Sequence, residues 1–190
     1  MIMNNKKIIS VIGDSKASDS SYIMARKVGK ILVDNGYTIQ CGGLGGIMKG
    51  VCEGAKMSHM YTRGCTIAIT PSYNRTEVNE YADIVIPTGL GLMRNGVVVN
   101  ADAVIAIGGG AGTLSEIALA WSMFKLIISF VNIEGWGKNL ANQRIDNRNR
   151  YPMIPEDCVY GVSSPEEMIL YLNKYINRYD RQYKGIYWHG

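Results

Sequence analysis

The residues best suited to chemistry lie between an apolar run and a helix-like segment, from Gly108 to Glu116. The run Ile105 to Ile107 predicts a strand, the small residues after it predict a loop, and a helix follows at once. Glycines let backbone N–H groups approach an anion closely, and a helix N-terminus adds partial positive charge. The stretch therefore predicts a phosphate-binding loop, formed by Gly108, Gly109, Gly110, Ala111, Gly112 and Thr113.

Two plainer interpretations of this stretch stay open. The glycines can serve a tight turn alone, and Thr113 and Glu116 have the spacing of a capping box that closes a helix N-terminus. The functional alternative places Glu116 one turn into the helix, as a carboxylate that faces a bound ribose. The loop is not a Walker A motif, because no Lys-Ser or Lys-Thr pair follows the glycines.

Further candidate binding residues follow two other predicted strands or precede the loop. Turns that follow parallel strands lie at one edge of the sheet, where ligands bind at the point of strand-order reversal. Arg94 stands in a glycine-flanked apolar setting, and its guanidinium suits phosphate or carboxylate, although a surface arginine remains the alternative. The additional site residues predicted are Gly13, Ser15, Gly42, Gly43, Gly45, Gly46, Met48, Arg94 and Asn95.

Apolar runs alternate with helix-like segments along most of the chain. Strands are predicted at 8–12, 37–41, 65–70, 82–87, 101–107, 126–131 and 158–162, and helices at 18–35, 47–59, 90–100, 113–124 and 163–179. Strands that are apolar throughout indicate a parallel sheet covered on both faces. The sequence predicts an α/β fold: one Rossmann-like domain over 1–190, with a doubly wound, mostly parallel sheet of about six to seven strands flanked by helices. We expect a core over 7–178, a surface loop or short irregular helix over 132–149, and a loosely held tail over 179–190.

Composition limits the classes of protein and partner. Of 190 residues, 47% are hydrophobic and 19% charged, as in soluble globular proteins. The net charge of +4 is dispersed among acids, which favours a solvated surface over a nucleic-acid-binding face. The cysteines contain no C-x-x-C pair, so no metal site is predicted, and they suit a reducing compartment. No apolar run is long enough for a membrane span, so we expect a cytoplasmic protein without a membrane partner.

Three motifs in this order resemble a known family. Residues 107–116 are similar to the P-G-G-x-G-T-x-x-E signature of the LONELY GUY (LOG) family of cytokinin-activating phosphoribohydrolases, once mislabelled lysine decarboxylases. They are closer still to bacterial relatives and to molybdenum cofactor carrier proteins, which read G-G-G-x-G-T-x-x-E. The pattern Gly42-Gly43-x-Gly45-Gly46-x-Met48 and the pair Arg94-Asn95 support the match, which covers residues 7–131.

The resemblance implies a Rossmann-like fold, a homodimer or higher homo-oligomer, and a nucleotide phosphate at the glycine loop. In the hydrolases the signature glutamate and an upstream arginine form the catalytic pair, which falls on Glu116 and Arg94 here. No cofactor or metal is required. Gly108 stands where the hydrolases have proline, and Asn95 stands where they usually have lysine. Both departures resemble the carrier-type branch.

Two functions follow from the resemblance and the residues. The first, which the sequence slightly favours, is a LOG-like nucleoside 5′-monophosphate phosphoribohydrolase that cleaves the N-glycosidic bond to free base and ribose 5-phosphate. Glu116 would stabilise the cation-like transition state or activate water, and Arg94 would orient the substrate. The alternative is a non-catalytic carrier of a nucleotide or of a phosphorylated pterin-type cofactor such as the molybdenum cofactor. We expect the helix around Trp121 to contact a partner subunit.

Overall fold

The computed structural model describes residues 6–181. Its strands form one parallel sheet in the order β4-β3-β2-β1-β5-β6-β7. The strands are β1 (Ile8–Gly13), β2 (Thr38–Cys41), β3 (Thr66–Thr70), β4 (Ile84–Pro87), β5 (Ala103–Ile107), β6 (Leu126–Phe130) and β7 (Val159–Val162). Every predicted strand has its counterpart, and the predicted Rossmann-like α/β fold is confirmed.

Helices cover both faces of the sheet, as the apolar strands require. Within residues 6–181 they are α1 (Asp19–Asp34), α2 (Gly46–Lys56), α3 (Asn95–Val98), α4 (Ala111–Ser122), α5 (Trp136–Leu140) and α6 (Pro165–Tyr175), with a short 3-10 helix, Gly91–Arg94, before α3. The first, second and sixth helices pack on one face, and the third to fifth on the other. No helix in this part of the chain has the length and apolar character that a membrane crossing needs.

The strand order reverses at the centre of the sheet, between β1 and β5. These two strands are neighbours, and Gly13 at the end of β1 lies opposite Ile107 at the end of β5. The turn after β1 and the loop after β5 are therefore side by side at one rim. This is the position at which open α/β sheets bind ligands.

Capping determines which helix N-termini stay open at that rim. The Ser18 hydroxyl accepts a hydrogen bond from the Ser21 amide and so caps α1. By contrast, α2 and α4 begin after Gly45 and Gly110, neither of which supplies a side-chain cap. The first amides of an uncapped helix have no partner within the helix. The start of α4 is thus available to bind an anion.

The helix predicted over 90–100 is interrupted in the structure. It consists of the 3-10 helix and α3, each four residues long. Gly91 has φ +54°, in the left-handed region, which a continuous right-handed helix cannot include. Gly91 therefore marks the start of the helical segment, and the change from 3-10 to α geometry three residues later places Arg94 at the junction of the two pieces.

Two aromatic side chains belong to the core, one from the predicted loose tail and one for which the sequence left core and interface open. Tyr179 is 7% exposed and donates a 2.7 Å hydrogen bond to Asp157 Oδ1, so the predicted loose tail is wrong at its first residue. From 182 onward that prediction lies outside the described residues. Trp121 is fully buried, donates to Asp146 Oδ1 at 3.0 Å and lies under the Arg150 guanidinium. Its side chain therefore has no surface to offer a partner subunit.

Candidate functional site

A cavity of about 280 Å³ opens at the rim where β1 and β5 end. The structure brings most of the predicted site residues together on its wall. These are Gly13, Ser15, Gly42, Met48, Arg94, Asn95, Gly110, Gly112, Thr113 and Glu116. The remaining wall residues are Ile12, Asp14, Leu44 and Leu92. The cavity therefore joins all three glycine-bearing turns that the sequence singled out.

A buried ion pair forms one side of the cavity. Arg94 Nη1 donates a 2.9 Å hydrogen bond to Glu116 Oε1, and the two residues are 8% and 6% exposed. Burial raises the pKa of Glu116 to about 7, while the charge and the hydrogen bond of Arg94 act in the opposite direction. A carboxyl group with this pKa can hold or release a proton near neutral pH.

Asn95 connects this ion pair to the start of α4. Its side-chain oxygen accepts from Arg94 Nη1 at 2.8 Å, and its amide donates to Ser115 Oγ at 2.8 Å. Ser115 Oγ in turn donates to the carbonyl oxygen of Gly112 at 2.7 Å. Asn95 therefore fixes Arg94 relative to the first turn of α4.

Thr113 and Glu116 do not form the capping box that their spacing permits. The N-cap of α4 is Gly110, so Thr113 is the third residue of the helix rather than its cap. Thr113 is buried, and Glu116 pairs with Arg94 instead of turning back to a cap. The plainer interpretation of this glutamate is thereby wrong.

Gly110 and Gly112 face open space in the cavity wall. A Cβ atom built on either residue meets no protein atom within 4 Å, and neither has a positive φ. The packing of the chain thus gives no reason for glycine at these two positions. Both flank the uncapped N-terminus of α4, where an added methyl group would occupy the place of a bound anion. This arrangement fits a phosphate group.

Three predicted binding glycines lie outside the cavity wall, because the backbone packing uses them. A Cβ on Gly45 would lie 2.9 Å from the carbonyl oxygen of Ser15, and one on Gly46 would lie 2.2 Å from that of Asp14. The Ile47 amide donates to the same Asp14 oxygen. Gly43 has φ +76° and packs against β3. Gly43, Gly45 and Gly46 therefore seat α2 on the first turn and on β3, and Gly42 and Leu44 are the residues of this turn that reach the cavity wall.

Three residues of the glycine loop also lie outside the wall. Gly108 and Gly109 have φ +63° and +101°, and their carbonyl oxygens accept hydrogen bonds from the amides of Gly137 and Trp136 at the start of α5. Ala111 lies outside on the exposed start of α4. The segment 132–149, which was predicted only as a surface loop or short irregular helix, thus holds the glycine loop in place through these hydrogen bonds.

Asp14 is a wall residue that the sequence prediction missed. Its Oδ2 accepts a 2.9 Å hydrogen bond from the Gly109 amide, which ties the turn after β1 to the glycine loop. Its position directly after β1, at the point of strand-order reversal, was the available signal. Within residues 6–181 no cluster of His, Cys, Asp or Glu side chains could hold a metal ion.

The left-handed backbone of Gly108 explains why proline is absent there and gives a stability prediction. A proline ring holds φ near −65°, far from +63°. Gly108→Ala should destabilise the protein by more than the roughly 1–2 kcal/mol of a left-handed residue, because its Cβ would lie 2.7 Å from the Glu134 carbonyl oxygen. Gly36→Ala is the matched control, since Gly36 has φ +82° in open space. Urea denaturation compares the two; equal losses would contradict the steric argument.

Comparisons with known proteins agree with this architecture. A protein of Archaeoglobus fulgidus, described as uncharacterized, is 39% identical over 131 residues, which are 67% of this chain and 83% of that protein. The molybdenum cofactor binding protein of the phototrophic bacterium Rippkaea orientalis is 33% identical, with a TM-score of 0.74 over 91% of this chain and 99% of its own. The molybdenum cofactor carrier protein of Chlamydomonas reinhardtii, at 24% identity and a TM-score of 0.71 over 91% and 99% of the two chains, shares the fold.

These similarities confirm the LOG-like superfamily and the carrier-type relatives that the motifs indicated. The model of the SLOG cluster4 family matches residues 6–168, which include every residue of the cavity wall. The chain belongs to the SLOG cluster4 family.

Proposed function

We propose that this protein is a carrier that binds a phosphorylated pterin-type cofactor, of the molybdenum cofactor class, in the cavity between β1 and β5. The observation that carries the proposal is the open cradle at Gly110 and Gly112, in front of the uncapped start of α4. A phosphate group there would accept hydrogen bonds from the first amides of the helix and interact with its dipole. Arg94 would add the positive charge.

The similarity to the Rippkaea orientalis protein supports the choice of cargo. It covers 91% of this chain and 99% of that protein, and its 33% sequence identity adds a similarity of sequence to the similarity of fold. Gly108 also supports it, because its left-handed backbone excludes the proline of the hydrolase signature. The first residue of this loop therefore has a backbone conformation, with φ +63°, that a loop beginning with proline cannot adopt.

The second candidate is a nucleoside 5′-monophosphate phosphoribohydrolase. The Arg94–Glu116 pair favours it, because Glu116 lies on the cavity wall with its pKa raised to about 7. A carboxyl group so placed can act as a general acid or base toward a glycosidic bond beside the phosphate site.

Incubation with nucleotides separates the two functions. The purified protein is incubated with AMP and with several modified adenosine monophosphates, and free base is followed by chromatography. A carrier is expected to release no base, although phosphate-bearing ligands should raise its melting temperature. An enzyme would release base, and Glu116→Gln would slow that release by about a hundredfold or more, the usual contribution of general acid–base catalysis.

The matched control for Glu116→Gln is Glu166→Gln, an exposed glutamate at the start of α6. Base release that continues unchanged in the Glu116 variant would point to a contaminating hydrolase. If the wild type and Glu166→Gln release base and Glu116→Gln does not, the protein is a phosphoribohydrolase and the proposed carrier function is wrong.

The assembly and the location of the protein are further proposals. We propose a homo-oligomer in the cytoplasm. The buried Trp121 side chain cannot form the subunit contact, whereas Leu92 at the cavity wall and the neighbouring Met93 and Leu119 are exposed. Light scattering of the purified protein determines the oligomeric state; a monomer at micromolar concentration would contradict this proposal.

A further inference from the structure

The guanidinium of Arg94 is only partly used by the protein. Its Nη1 donates to both Asn95 and Glu116. Its Nε is buried and has no hydrogen-bond partner among the described residues. A Cβ on Gly42 would lie 2.6 Å from its Nη2, so glycine at that position leaves room for the guanidinium on the cavity wall. An arginine in this state retains donors for an anionic ligand.

Glu116 depends on Arg94 in turn, and it lies on the same cavity wall. Within residues 6–181, Arg94 supplies the hydrogen bond to its carboxylate, and the residue is 6% exposed. The charged and titratable groups around it are Arg94 from the 3-10 helix, Asp14 from the turn after β1, and the Cys41 thiol at the end of β2. A buried carboxylate with one donor depends on that donor for its charged form.

An anion in the cavity changes this balance. It would lie at the N-terminus of α4, on the same wall as Arg94 and Glu116. One guanidinium would then face two negative groups, and like charges near each other disfavour ionisation of the weaker acid. Glu116 already has its pKa raised to about 7 by burial, so protonation is the least costly response.

We propose that an anionic ligand and a proton bind to this cavity together: the ligand takes over the Arg94 guanidinium, and Glu116 is protonated as it gives up that partner. The inference rests on the proposed function, which places the ligand phosphate at the start of α4. It makes the release of a phosphate-bearing ligand a response to rising pH.

The linkage has a defined sign and size. Below the pKa of Glu116 in the free protein, affinity for a non-titrating dianion should not depend on pH. Above it, each bound ligand requires the uptake of one proton, so affinity falls by up to tenfold per pH unit. By reciprocity, the ligand raises the pKa of Glu116.

The test uses sulfate, which stays dianionic across neutral pH, and protein labelled with ¹³C at glutamate side-chain carboxyls. Glu116→Gln identifies the Glu116 signal by its loss, and Glu166→Gln serves as the control that should leave the pH dependence unchanged. Saturating sulfate is expected to raise the pKa of Glu116. The sulfate Kd should increase by about tenfold between pH 7.5 and 8.5 in the wild type and stay constant in Glu116→Gln.

Two results would overturn the inference, and only the second would also overturn the proposed function. If sulfate binds with a Kd independent of pH and the Glu116 titration does not move, the proton linkage is wrong and the carrier function stands. If sulfate binds at neither acidic nor alkaline pH, the cradle is not an anion site, and the inference falls with the proposed function. The pH dependence of the sulfate Kd of the wild-type protein decides the question even if a variant fails to fold.

Discussion

Gly112→Ala is expected to weaken the binding of phosphate-bearing ligands by about 10- to 100-fold, because the methyl group would displace the anion from at least one charge-assisted hydrogen bond of about 1.5–3 kcal/mol. The same change should leave the fold intact. A Cβ at this position meets no protein atom within 4 Å, and alanine is a better helix former than glycine by up to about 1 kcal/mol. A variant that is at least as stable yet binds poorly would separate a ligand role from a structural one.

The control for this variant is Gly96→Ala. Gly96 lies in α3, its Cβ would also meet open space, and it is absent from the cavity wall. Both variants should keep or raise the melting temperature, and only Gly112→Ala should lose binding when sulfate or AMP is titrated calorimetrically. Equal affinity in the two variants would mean that no anion lies against Gly112.

Arg94→Met is expected to remove anion binding and also to destabilise the protein above neutral pH. Breaking a buried ion pair by deleting one partner costs about 3–5 kcal/mol, because the other charge is left uncompensated. Here that charge can be neutralised. Without Arg94 the pKa of Glu116 in the folded state should rise further above about 7, whereas the unfolded-state value stays near 4.5.

The sign of the pH effect follows from proton binding. The folded variant holds a proton on Glu116 that the unfolded chain releases above pH 4.5. Its stability therefore falls as pH rises through the window between these two pKa values and is highest below it. Urea denaturation at pH 5 and pH 8 should show a small loss at the lower pH and the full loss at the higher one. The double variant Arg94→Met, Glu116→Gln should lose this pH dependence; an equal loss at both pH values in the single variant would contradict the account.

The sequence predicted the sheet, and most of the residues that it proposed for a site lie together at one rim, for physical reasons. Strands such as β5 and β6 are buried on both faces, so their apolar runs carry an unambiguous signal. Gly110 and Gly112 were predicted to bind an anion because five consecutive small residues exceed what a tight turn needs, and the structure places both on the cavity wall. Arg94 and Glu116 were paired by the family resemblance, and the structure places them 2.9 Å apart.

What the sequence could not predict depends on contacts between distant segments. The role of Gly45 and Gly46 follows from carbonyl oxygens of the first turn, thirty or more residues away. The support of Gly108 and Gly109 by α5 depends on the path of an irregular segment without periodicity. Asp14 was missed because its function, a hydrogen bond to the Gly109 amide, appears only when β1 and β5 are neighbours.

The carrier function is tested most directly by whether the protein is purified from cells with a pterin bound to it. The wild type and Gly112→Ala would be purified without oxygen from cells that make molybdenum cofactor, then oxidised and assayed for pterin fluorescence. The account predicts pterin in proportion to protein in the wild type and clearly less pterin per protein in the variant, in line with its weaker binding. A wild-type protein that carries no pterin, and that releases free base from nucleoside monophosphates through Glu116, would contradict it.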